Sequence, residues 1–404
     1  MKNLKQALAQ RQAQGLYRKR RILHSPQGRE IIIDAKPLIN FCSNDYLGLA
    51  NHPQVKKAFI AGCQQYGTGS GSAHLVNGHS KAHHALEEEL AAFCEQPRAL
   101  LFSTGYMANL SVAQSLFAHS KSQPTYNSCI IEDKLNHASL LDAASISDSK
   151  LIRFLHRDYN SLQKKLQRCT TENNRGECTD EILVSTDTVF SMDGDEADIP
   201  AIMTHCQAHN AWLMLDDAHG FGVLGENGRG SLNHQQVIAD SNTIYMATLG
   251  KALGTAGAFI AGSEDLIEYL IQTARCYIYT TAMPPAIAEA TRTSLRLLTE
   301  ENWRQQALHK NIHYFKTLAA QTQIKLLESS SAIQPVITGD TKKTVEISQQ
   351  LFSQGLHIAA IRPPTVAENT ARLRITLRAD HTMQDIERLV SLLDACILEA
   401  GLTS

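Results

Sequence analysis

The stretch that decides the fold is Leu213–Gly225, LMLDDAHGFGVLG. Its apolar run ends abruptly at Asp216 and Asp217, and His219 follows two residues later. Removing a carboxylate from water is costly, so two of them at the end of a buried strand need compensating partners. Because side chains alternate along a strand, we expect Asp216 and Asp217 to lie on opposite faces of it.

Short apolar segments alternate with helical ones around this stretch. Strands that are apolar throughout and separated by helices are typical of a parallel sheet covered on both faces. We therefore predict an α/β fold with a mostly parallel central sheet. The predicted strands are RALLFST (98–104), SCIIED (128–133), KLIRFL (150–155), EILVSTDTVF (181–190), AWLMLDDA (211–218), NTIYMAT (242–248) and GAFIAG (257–262).

The two ends of the chain follow other patterns. Residues 1–20 predict a helix, and the residues after Pro284-Pro285 alternate between helices and a few strands. The proline pair is a predicted hinge, because a residue before proline disfavours the helical conformation. We predict an N-terminal helix and arm over residues 1–45, a large domain over residues 46–283 and a small α+β domain over residues 284–404.

The composition is that of an ordinary globular protein. Of 404 residues, 43% are hydrophobic and 19% are charged, and the net charge is -2. This balance argues against a nucleic-acid-binding or membrane-surface protein. The apolar runs are far shorter than the roughly 20 residues that span a bilayer, and the N-terminus lacks the apolar region of a secretory signal. We expect a cytoplasmic protein with no nucleic-acid or membrane partner.

The nine cysteines are scattered and contain no CxxC pair. This spacing excludes a disulfide framework and a cysteine-rich zinc site. We predict that they are small buried side chains in a reducing compartment, and we expect no metal site. They are residues 42, 63, 94, 129, 169, 178, 206, 276 and 396.

Polar residues follow five of the predicted strands, and ligands of open parallel sheets bind at this edge. A Mg²⁺-dependent nucleotide hydrolase would need the loop GxxxxGK[ST]. Lys251 does not fit that loop, because Ala252 follows it and Tyr245 stands in place of the first glycine. The segment GTGSGS (67–72) follows a predicted helix, so it is interpreted as closely packed backbone rather than a dinucleotide loop. The polar segments are residues 103–105, 133–137, 187–191, 216–219 and 248–251.

A strand-end aspartate, a nearby histidine and a lysine one strand later match a known chemistry. The lysine binds an aldehyde cofactor covalently, the aspartate holds a proton on its pyridine nitrogen, and a helix N-terminus holds its phosphate. The segment STGYMANLSVAQ (103–114) supplies such a helix start, with Gly105 allowing close approach to the backbone.

A set of motifs extends over essentially the whole chain and resembles the fold-type I pyridoxal-phosphate enzymes, within them the α-oxoamine synthase family. The resemblance implies an aspartate-aminotransferase-like fold, pyridoxal 5'-phosphate (PLP) as cofactor, a large PLP-binding domain and a homodimer. The motifs are NFCSNDYLGLANHPQV (40–55), GTGSGSAHLVNGHSKAHHALEEELAAF (67–93), LFSTGYMANL (101–110), LNHASLLDAA (135–144), VFSMDGDEADI (189–199), LMLDDAHGFGVLGENGRG (213–230), TLGKALG (248–254), YTTAMPP (279–285), IRPPTV (361–366) and ARLRITL (371–377).

The resemblance implies roles at the cofactor for individual residues. It implies that Lys251 binds the cofactor and removes the substrate α-proton, and that Asp216 faces the ring nitrogen. It implies that His219 contacts the ring hydroxyl, and that His137 stacks on the ring and polarises the acyl carbonyl. Further implied cofactor contacts are Gly105, Tyr106, Ser191 and Thr248, with Thr280 or Thr281 reaching the phosphate in the partner subunit.

Within the family, the segments 332–340, 360–366 and 371–389 are most similar to the member that acts in biotin synthesis. The resemblance therefore implies condensation of L-alanine with a pimeloyl thioester of coenzyme A or acyl carrier protein, with loss of CO₂ and thiol. Arg374 is implied to bind the amino-acid carboxylate as a bidentate clamp, and Arg372 on the same strand face stays an alternative. The other implied substrate contacts are Arg18, Asn44 and Thr365, with a solvated helix end as the alternative for Arg18.

The chain departs from the family pattern at a few positions. These are Asp187-Thr188, His74 and Ala367, and they leave the acyl-donor preference open. The first alternative is a related synthase with another amino acid or acyl chain, such as a glycine C-acetyltransferase or an aminoketone signal synthase. The second is a non-catalytic partner subunit, against which the presence of Lys251 argues.

Overall fold

A computed structural model describes residues 3–14, 16–117, 127–170 and 181–402. The described residues form two compact units. The first unit comprises those in Met1–Asn51, Met192–Asp195 and Trp303–Ser404, and the second comprises those in His52–Ser191 and Glu196–Asn302. These boundaries differ from the predicted ones, since the N-terminal segment groups with the C-terminal residues.

The strands alternate with helices along the chain. In chain order the strands are β1 (Glu30–Ile33), β2 (Lys36–Asn40), β3 (Arg98–Phe102), β4 (Ser128–Asp133), β5 (Lys150–Phe154), β6 (Glu181–Asp187), β7 (Trp212–Asp216), β8 (Thr243–Thr248), β9 (Ala258–Gly262), β10 (Ile333–Gly339), β11 (Leu356–His357), β12 (Ala359–Ile361) and β13 (Ala371–Thr376). The helices are α1 (Leu4–Ala13), α2 (Pro53–Tyr66), α3 (Lys81–Phe93), α4 (Gly105–Phe117), α5 (Ala138–Ile146), α6 (Tyr159–Thr170), α7 (Ile199–Ala208), α8 (Ser231–His234), α9 (Glu264–Thr273), α10 (Arg275–Ile278), α11 (Pro285–Glu300), α12 (Trp303–Ala319), α13 (Thr341–Ser353) and α14 (Met383–Glu399).

The second unit is built on a seven-stranded sheet in the order β3-β9-β8-β7-β6-β4-β5. The neighbours β8, β7, β6, β4 and β5 run parallel, and β9 runs antiparallel to both β3 and β8. The prediction of a mostly parallel central sheet is therefore confirmed. Strand β4 is buried along its whole length, as expected for a sheet covered on both faces. Strand β5 is mostly exposed, because it lies at the edge of the sheet.

The helices of the second unit pack their apolar faces on this sheet and on one another. Phe102 of β3, Val112 of α4, Leu140 of α5 and Ile260 of β9 belong to one buried cluster. Helix α2 packs against α11, where Gly62 allows close approach, because a Cβ there would lie 2.8 Å from Ala286 Cα. This packing holds the first turn of α4 where β3 ends.

The first unit contains two three-stranded sheets, β1-β2-β11 and β10-β13-β12. Strand β11 pairs in parallel with β2, which explains why the N-terminal segment groups with the C-terminal residues. A buried ion pair supports this grouping, since Arg378 Nη1 lies 3.1 Å from Asp45 Oδ2. Arg378 Nε also donates to Asp380 Oδ1 at 2.8 Å, so the charge of this fully buried guanidinium is compensated.

The predicted helix over residues 1–20 is wrong beyond Ala13, because the chain is not helical from Leu16 to Arg20. A glycine at position 15 disfavours helix propagation. Met1, Lys2 and Gly15 lie outside the described residues.

The cysteines of the described residues are free thiols, and Cys94, Cys129, Cys169, Cys206 and Cys396 are buried. Cys178 lies outside the described residues. In the part of the chain that the structure describes, no helix combines the length and hydropathy needed to cross a membrane.

Candidate active site

The polar residues that end the parallel strands meet at one edge of the sheet in the second unit. Asp187 of β6 pairs directly with Asp216 of β7, which in turn lies opposite Met246 of β8. Both aspartates are almost fully buried, at 4% exposure each. Two adjacent carboxyls at this depth would repel each other if both were ionised, so their surroundings must separate their protonation states.

The amine of Lys251 lies against the imidazole of His219. Nζ of the lysine is 2.8 Å from Nε2 of the histidine, so one nitrogen donates a hydrogen bond to the other. The lysine sits in a tight turn after β8, in which the N–H of Gly254 donates to the Lys251 carbonyl at 2.9 Å. Gly254 has a φ of 67°, a conformation that favours glycine. The turn thus fixes where the lysine side chain leaves the backbone.

Asp216 is held by two donors that orient its carboxylate. Asn109 Nδ2 donates to Oδ2 at 2.8 Å, and the backbone N–H of Ala218 donates to Oδ1 at 3.1 Å. Asn109 is buried in α4 and also donates to Ser139 Oγ at 2.8 Å. These contacts fix the carboxylate while leaving it capacity to accept a further hydrogen bond.

His137 begins α5 and is tied to Asp187. Its backbone N–H donates to Asp187 Oδ2 at 2.7 Å, and its Nδ1 accepts a bond from the N–H of Ser139 at 3.3 Å. Burial lowers the pKa of His137, the charge of Asp216 raises it and that of Lys251 lowers it. Burial, followed by the negative charge of Asp216, raises the pKa of Asp187 well above its ordinary value. The bond from Ser139 leaves the proton of the neutral His137 imidazole on Nε2, and the raised pKa of Asp187 favours its protonated form.

The start of α4 offers backbone N–H groups at the end of β3. Thr104 Oγ1 accepts a bond from the N–H of Met107 at 3.1 Å, and Tyr106 donates its hydroxyl to Asp142. The first N–H groups of a helix lack an acceptor within the helix and suit an anion. A Cβ at Gly105 would lie 2.7 Å from Thr248 Cγ2, so glycine is needed where α4 meets the end of β8.

The remaining predicted cofactor contacts differ in their exposure. Thr281 forms an isolated β-bridge with Ala73 and is exposed, whereas Thr280 and Ser191 are half-buried. The N–H of Ala282 donates to the Ser72 carbonyl at 3.0 Å. The segment 67–72 thus contacts the residues after α10 through Ser72. Its three glycines are exposed, and a Cβ at any of them would meet no atom within 4 Å beyond its chain neighbours, so the prediction of closely packed backbone is wrong.

The predicted substrate contacts of the first unit lie together in pairs. Arg374 Nη1 donates to Asn44 Oδ1 at 3.2 Å, and Arg18 Nη2 donates to Thr365 Oγ1 at 3.1 Å. Arg372 instead forms an ion pair with Asp193.

Asn109, Asn136 and Ser139 were missed by the sequence analysis. Asn136 Oδ1 accepts from the N–H of Asp187 at 3.2 Å, and its Nδ2 donates to the Ser185 carbonyl at 2.8 Å. A sequence signal existed for Asn109, because it is an amide one turn after Gly105 in a mostly apolar helix. A buried polar side chain in such a position requires a partner.

The residues of the second unit fit a pyridoxal phosphate. The oriented carboxylate of Asp216 suits a protonated ring nitrogen, the amine of Lys251 suits an aldehyde, and the start of α4 suits a phosphate. Asn109 Oδ1 is buried with no hydrogen-bond partner within the described residues.

Comparisons with known proteins agree with this geometry. The sequence model of the aminotransferase class I and II family matches residues 36–393. The 8-amino-7-oxononanoate synthase of Thioalkalivibrio sulfidiphilus is 52% identical over 394 residues, which cover 98% of this chain and 97% of that protein.

Solved structures of related enzymes are also similar to this chain. The 8-amino-7-oxononanoate synthase of Francisella tularensis has a TM-score of 0.75 and 30% identity, covering 90% of this chain and 98% of its own. A serine palmitoyltransferase variant from S. paucimobilis, with PLP and myriocin bound, has a TM-score of 0.88 and 26% identity, covering 99% of this chain and 98% of its own. The fold class predicted from the sequence is thus confirmed, and the chain belongs to the aminotransferase class I and II family, among the 8-amino-7-oxononanoate synthases.

Proposed function

We propose that the protein binds PLP through Lys251 and condenses L-alanine with a pimeloyl thioester. The products are 8-amino-7-oxononanoate, CO₂ and the free thiol, in a step of biotin synthesis. The observation that carries the proposal is the 2.8 Å contact between Lys251 Nζ and His219 Nε2, at the sheet edge where Asp216 is buried. The names of relatives about half identical to this chain support the choice of product.

The cofactor would be held by residues of the second unit. Asp216 would accept a bond from the ring nitrogen, His219 would contact the ring hydroxyl, and the first N–H groups of α4 at Gly105 and Tyr106 would bind the phosphate. When bound, PLP supplies an electron sink for bond breaking at the α-carbon of the amino acid. Further contacts in this proposal are Ser191, Thr248, and Thr280 or Thr281 acting on a second copy of the chain.

Proton transfer falls to Lys251 in this proposal. Its Nζ takes the proton from the alanine α-carbon, and His219 holds the amine in position through the 2.8 Å contact. A bond forms between the α-carbon and the thioester carbonyl carbon, and the sulfur leaves and takes up a proton. The carboxylate then leaves as CO₂, and the α-carbon takes up a proton in its place. His137 carries its proton on Nε2 and would donate it as a hydrogen bond to the acyl carbonyl oxygen.

The carboxylate of alanine would be bound by Arg374. Arg372 is already paired with the carboxylate of Asp193, whereas Arg374 donates to the neutral oxygens of Asn44 and Thr376. A carboxylate that bound Arg372 would first have to displace Asp193, which favours Arg374 for this role. Arg18, Asn44 and Thr365 would contact the substrates, with the thioester carried by coenzyme A or by an acyl carrier protein. The proposal also includes a homodimer in the cytoplasm.

The experiment is thiol release from pimeloyl-coenzyme A by the PLP-loaded protein, with L-alanine, glycine or L-serine. We expect release with L-alanine and a fall of about 10³-fold or more in the Lys251→Ala variant, because it loses both the covalent anchor and the base. Lys134→Ala is the matched control, since this exposed lysine follows β4 at the same edge.

Three outcomes would contradict the proposal. Near-normal turnover in the Lys251→Ala variant would remove the assigned base. Release with L-serine and palmitoyl-coenzyme A, but not with L-alanine and pimeloyl-coenzyme A, would assign the chain to the chemistry named for its serine palmitoyltransferase neighbour. A protein that stays colourless after PLP is added would revive the alternative of a non-catalytic partner subunit.

A further inference from the structure

Three histidines of the second unit face one another just before and within α3. His74 begins a π-helical turn (His74–Gly78), His79 ends that turn, and His83 lies in the first turn of α3. One ring nitrogen from each lies within 4.8 Å of the other two. The Nδ1 atoms of His74 and His79 are only 2.9 Å apart. We call these three residues the histidine cluster.

In two of the three histidines, the ring nitrogen that points away from the cluster lies near an oxygen atom. His83 Nε2 lies 2.7 Å from the carbonyl oxygen of Met283, to which it donates. His79 Nε2 lies 3.9 Å from Oε2 of Glu87. A histidine that binds a metal usually donates its other N–H to a carbonyl or a carboxylate, which orients the ring. The Nδ1 atoms of both rings are thereby left on the side where the histidines meet.

The ring of His74 is held in place by an aromatic neighbour. His74 stacks on Tyr277 with ring centroids 4.8 Å apart and an angle of 14° between the planes. Burial, followed by the neighbouring imidazoles, lowers the pKa of His74 to about 3 and also lowers the pKa of His79. Burial lowers the pKa of His83 as well.

We propose that the histidine cluster binds one divalent transition-metal ion of the class that prefers imidazole, such as Zn²⁺, through the Nδ1 atoms of His74, His79 and His83. Tetrahedral Zn–N bonds of about 2.0–2.1 Å place ligand nitrogens about 3.4 Å apart. This spacing lies between the 2.9 Å and 4.8 Å found in the cluster. Water takes the fourth position.

Binding requires His83 Nδ1 to release its hydrogen bond from the N–H of Ser80, which is 3.1 Å long. The ion would join the turn before α3 to α3 itself, next to the bridge between Ala73 and Thr281. It would therefore stabilise this part of the second unit. The site departs from the expectation of no metal, which rested on the cysteine spacing and on the missing phosphate loop of a Mg²⁺-dependent hydrolase.

The test uses PLP-loaded protein freed of metal with EDTA and passed through a desalting column. Zn²⁺ is titrated in competition with a chromophoric chelator, and Co²⁺ is added separately to record its visible absorption. We expect one equivalent of Zn²⁺ per chain and a Co²⁺ spectrum without thiolate charge-transfer bands. The His79→Gln and His74→Gln variants should each lose this equivalent, and Glu87→Gln should weaken binding about 10- to 100-fold.

His84→Gln is the matched control, because His84 is exposed on α3 and pairs with Glu88 at 3.4 Å. Equal binding by the wild-type protein and the His74→Gln variant would overturn the proposal. Loss of binding in His84→Gln but not in His74→Gln would also overturn it, in favour of the neighbouring group His79, His84 and Glu87. Far-UV circular dichroism checks that each variant folds. His74→Gln keeps the test valid if His79→Gln does not fold, because His74 lies at the opposite end of the π-helical turn from α3.

Discussion

Asp216 and Asp217 are adjacent and both buried, yet they meet different surroundings. Asp216 accepts bonds from the side-chain amide of Asn109 and the backbone of Ala218. Asp217 accepts bonds from the hydroxyls of Thr188, Ser231 and Tyr245 and from the N–H of Ser231, at 2.8 Å for the last. The first carboxylate is oriented but keeps acceptor capacity, whereas the second is surrounded by donors of the protein itself.

The same distinction separates Arg374 from Arg372 in the first unit. Both are 7% exposed and lie two residues apart on β13. Arg372 is paired with a carboxylate of the protein, and Arg374 donates to neutral oxygens. Within the aspartate pair and within the arginine pair, the residue type is the same and the burial is similar. The identity of the partners separates a structural charge from one suited to a ligand.

Asp216→Asn should have the largest effect. A neutral amide cannot hold a proton on the ring nitrogen of the proposed cofactor, so we expect kcat for thiol release to fall about 10²- to 10³-fold. The midpoint of thermal unfolding should change little, because the amide oxygen still accepts from Asn109 or Ala218. Steady-state kinetics at saturating PLP measure the effect. A kcat equal to that of the wild-type protein would show that the reaction does not need the carboxylate of Asp216. The two aspartates would then not differ in function.

Arg374→Lys should have a smaller effect, on substrate binding. Lysine keeps the charge but loses the bidentate geometry, so we expect the KM for L-alanine to rise about 10- to 100-fold, from the loss of one charged hydrogen bond. Arg372→Lys is the matched variant and should change KM much less, since a lysine still pairs with Asp193. If Arg372→Lys raised KM more than Arg374→Lys, the assignment of the two arginines would have to be exchanged.

Much of the fold was predictable because its signals are local. The apolar run before Asp216 and the alternation of strands and helices depend on neighbours in the sequence. The exposure of β5 was not predictable from KLIRFL, because only the strand order places this segment at the edge of the sheet. The end of α1 was missed because the helical pattern was extended across Gly15.

Within the site, the sequence could not reveal hydrogen bonds and ion pairs between residues that are far apart in the chain. Alternation along β13 places Arg372 and Arg374 on the same face and cannot rank them. The ion pair that separates them comes from Asp193, 179 residues earlier in the chain. Asn109 likewise contacts Asp216 across 107 residues.

Asp217→Asn tests whether Asp217 stabilises the fold. The amide group brings N–H donors toward Thr188, Ser231 and Tyr245, so at least one of these buried groups loses its acceptor. We expect the free energy of unfolding to fall by about 1–3 kcal/mol, measured as a lower midpoint in urea. The kcat of the folded variant should stay near that of the wild-type protein. A selective loss of kcat without loss of stability would assign Asp217 to the chemistry.

Glu132 is a buried carboxyl group that accepts hydrogen bonds from fewer donors than Asp217 does. It is 1% exposed on β4, and its Oε1 accepts from Ser185 Oγ at 3.1 Å. Its Oε2 is buried with no hydrogen-bond partner within the described residues. Burial raises the pKa of Glu132 from 4.5 to about 7. The scarcity of donors therefore leaves Glu132 protonated under mildly acidic conditions.

This raised pKa predicts a pH dependence of stability. Between pH 4.5 and 7 the folded protein holds a proton on Glu132 that the unfolded chain releases, so the wild-type protein loses stability as the pH rises through this window. Glu132→Gln removes this loss, and its stability relative to the wild-type protein should rise by about 1 kcal/mol between pH 6 and pH 7. Urea unfolding at both pH values measures the change, with Glu181→Gln at the half-buried start of β6 as control. A difference independent of pH would mean that Glu132 is already ionised at pH 6, and that the number of donors does not control protonation in this sheet.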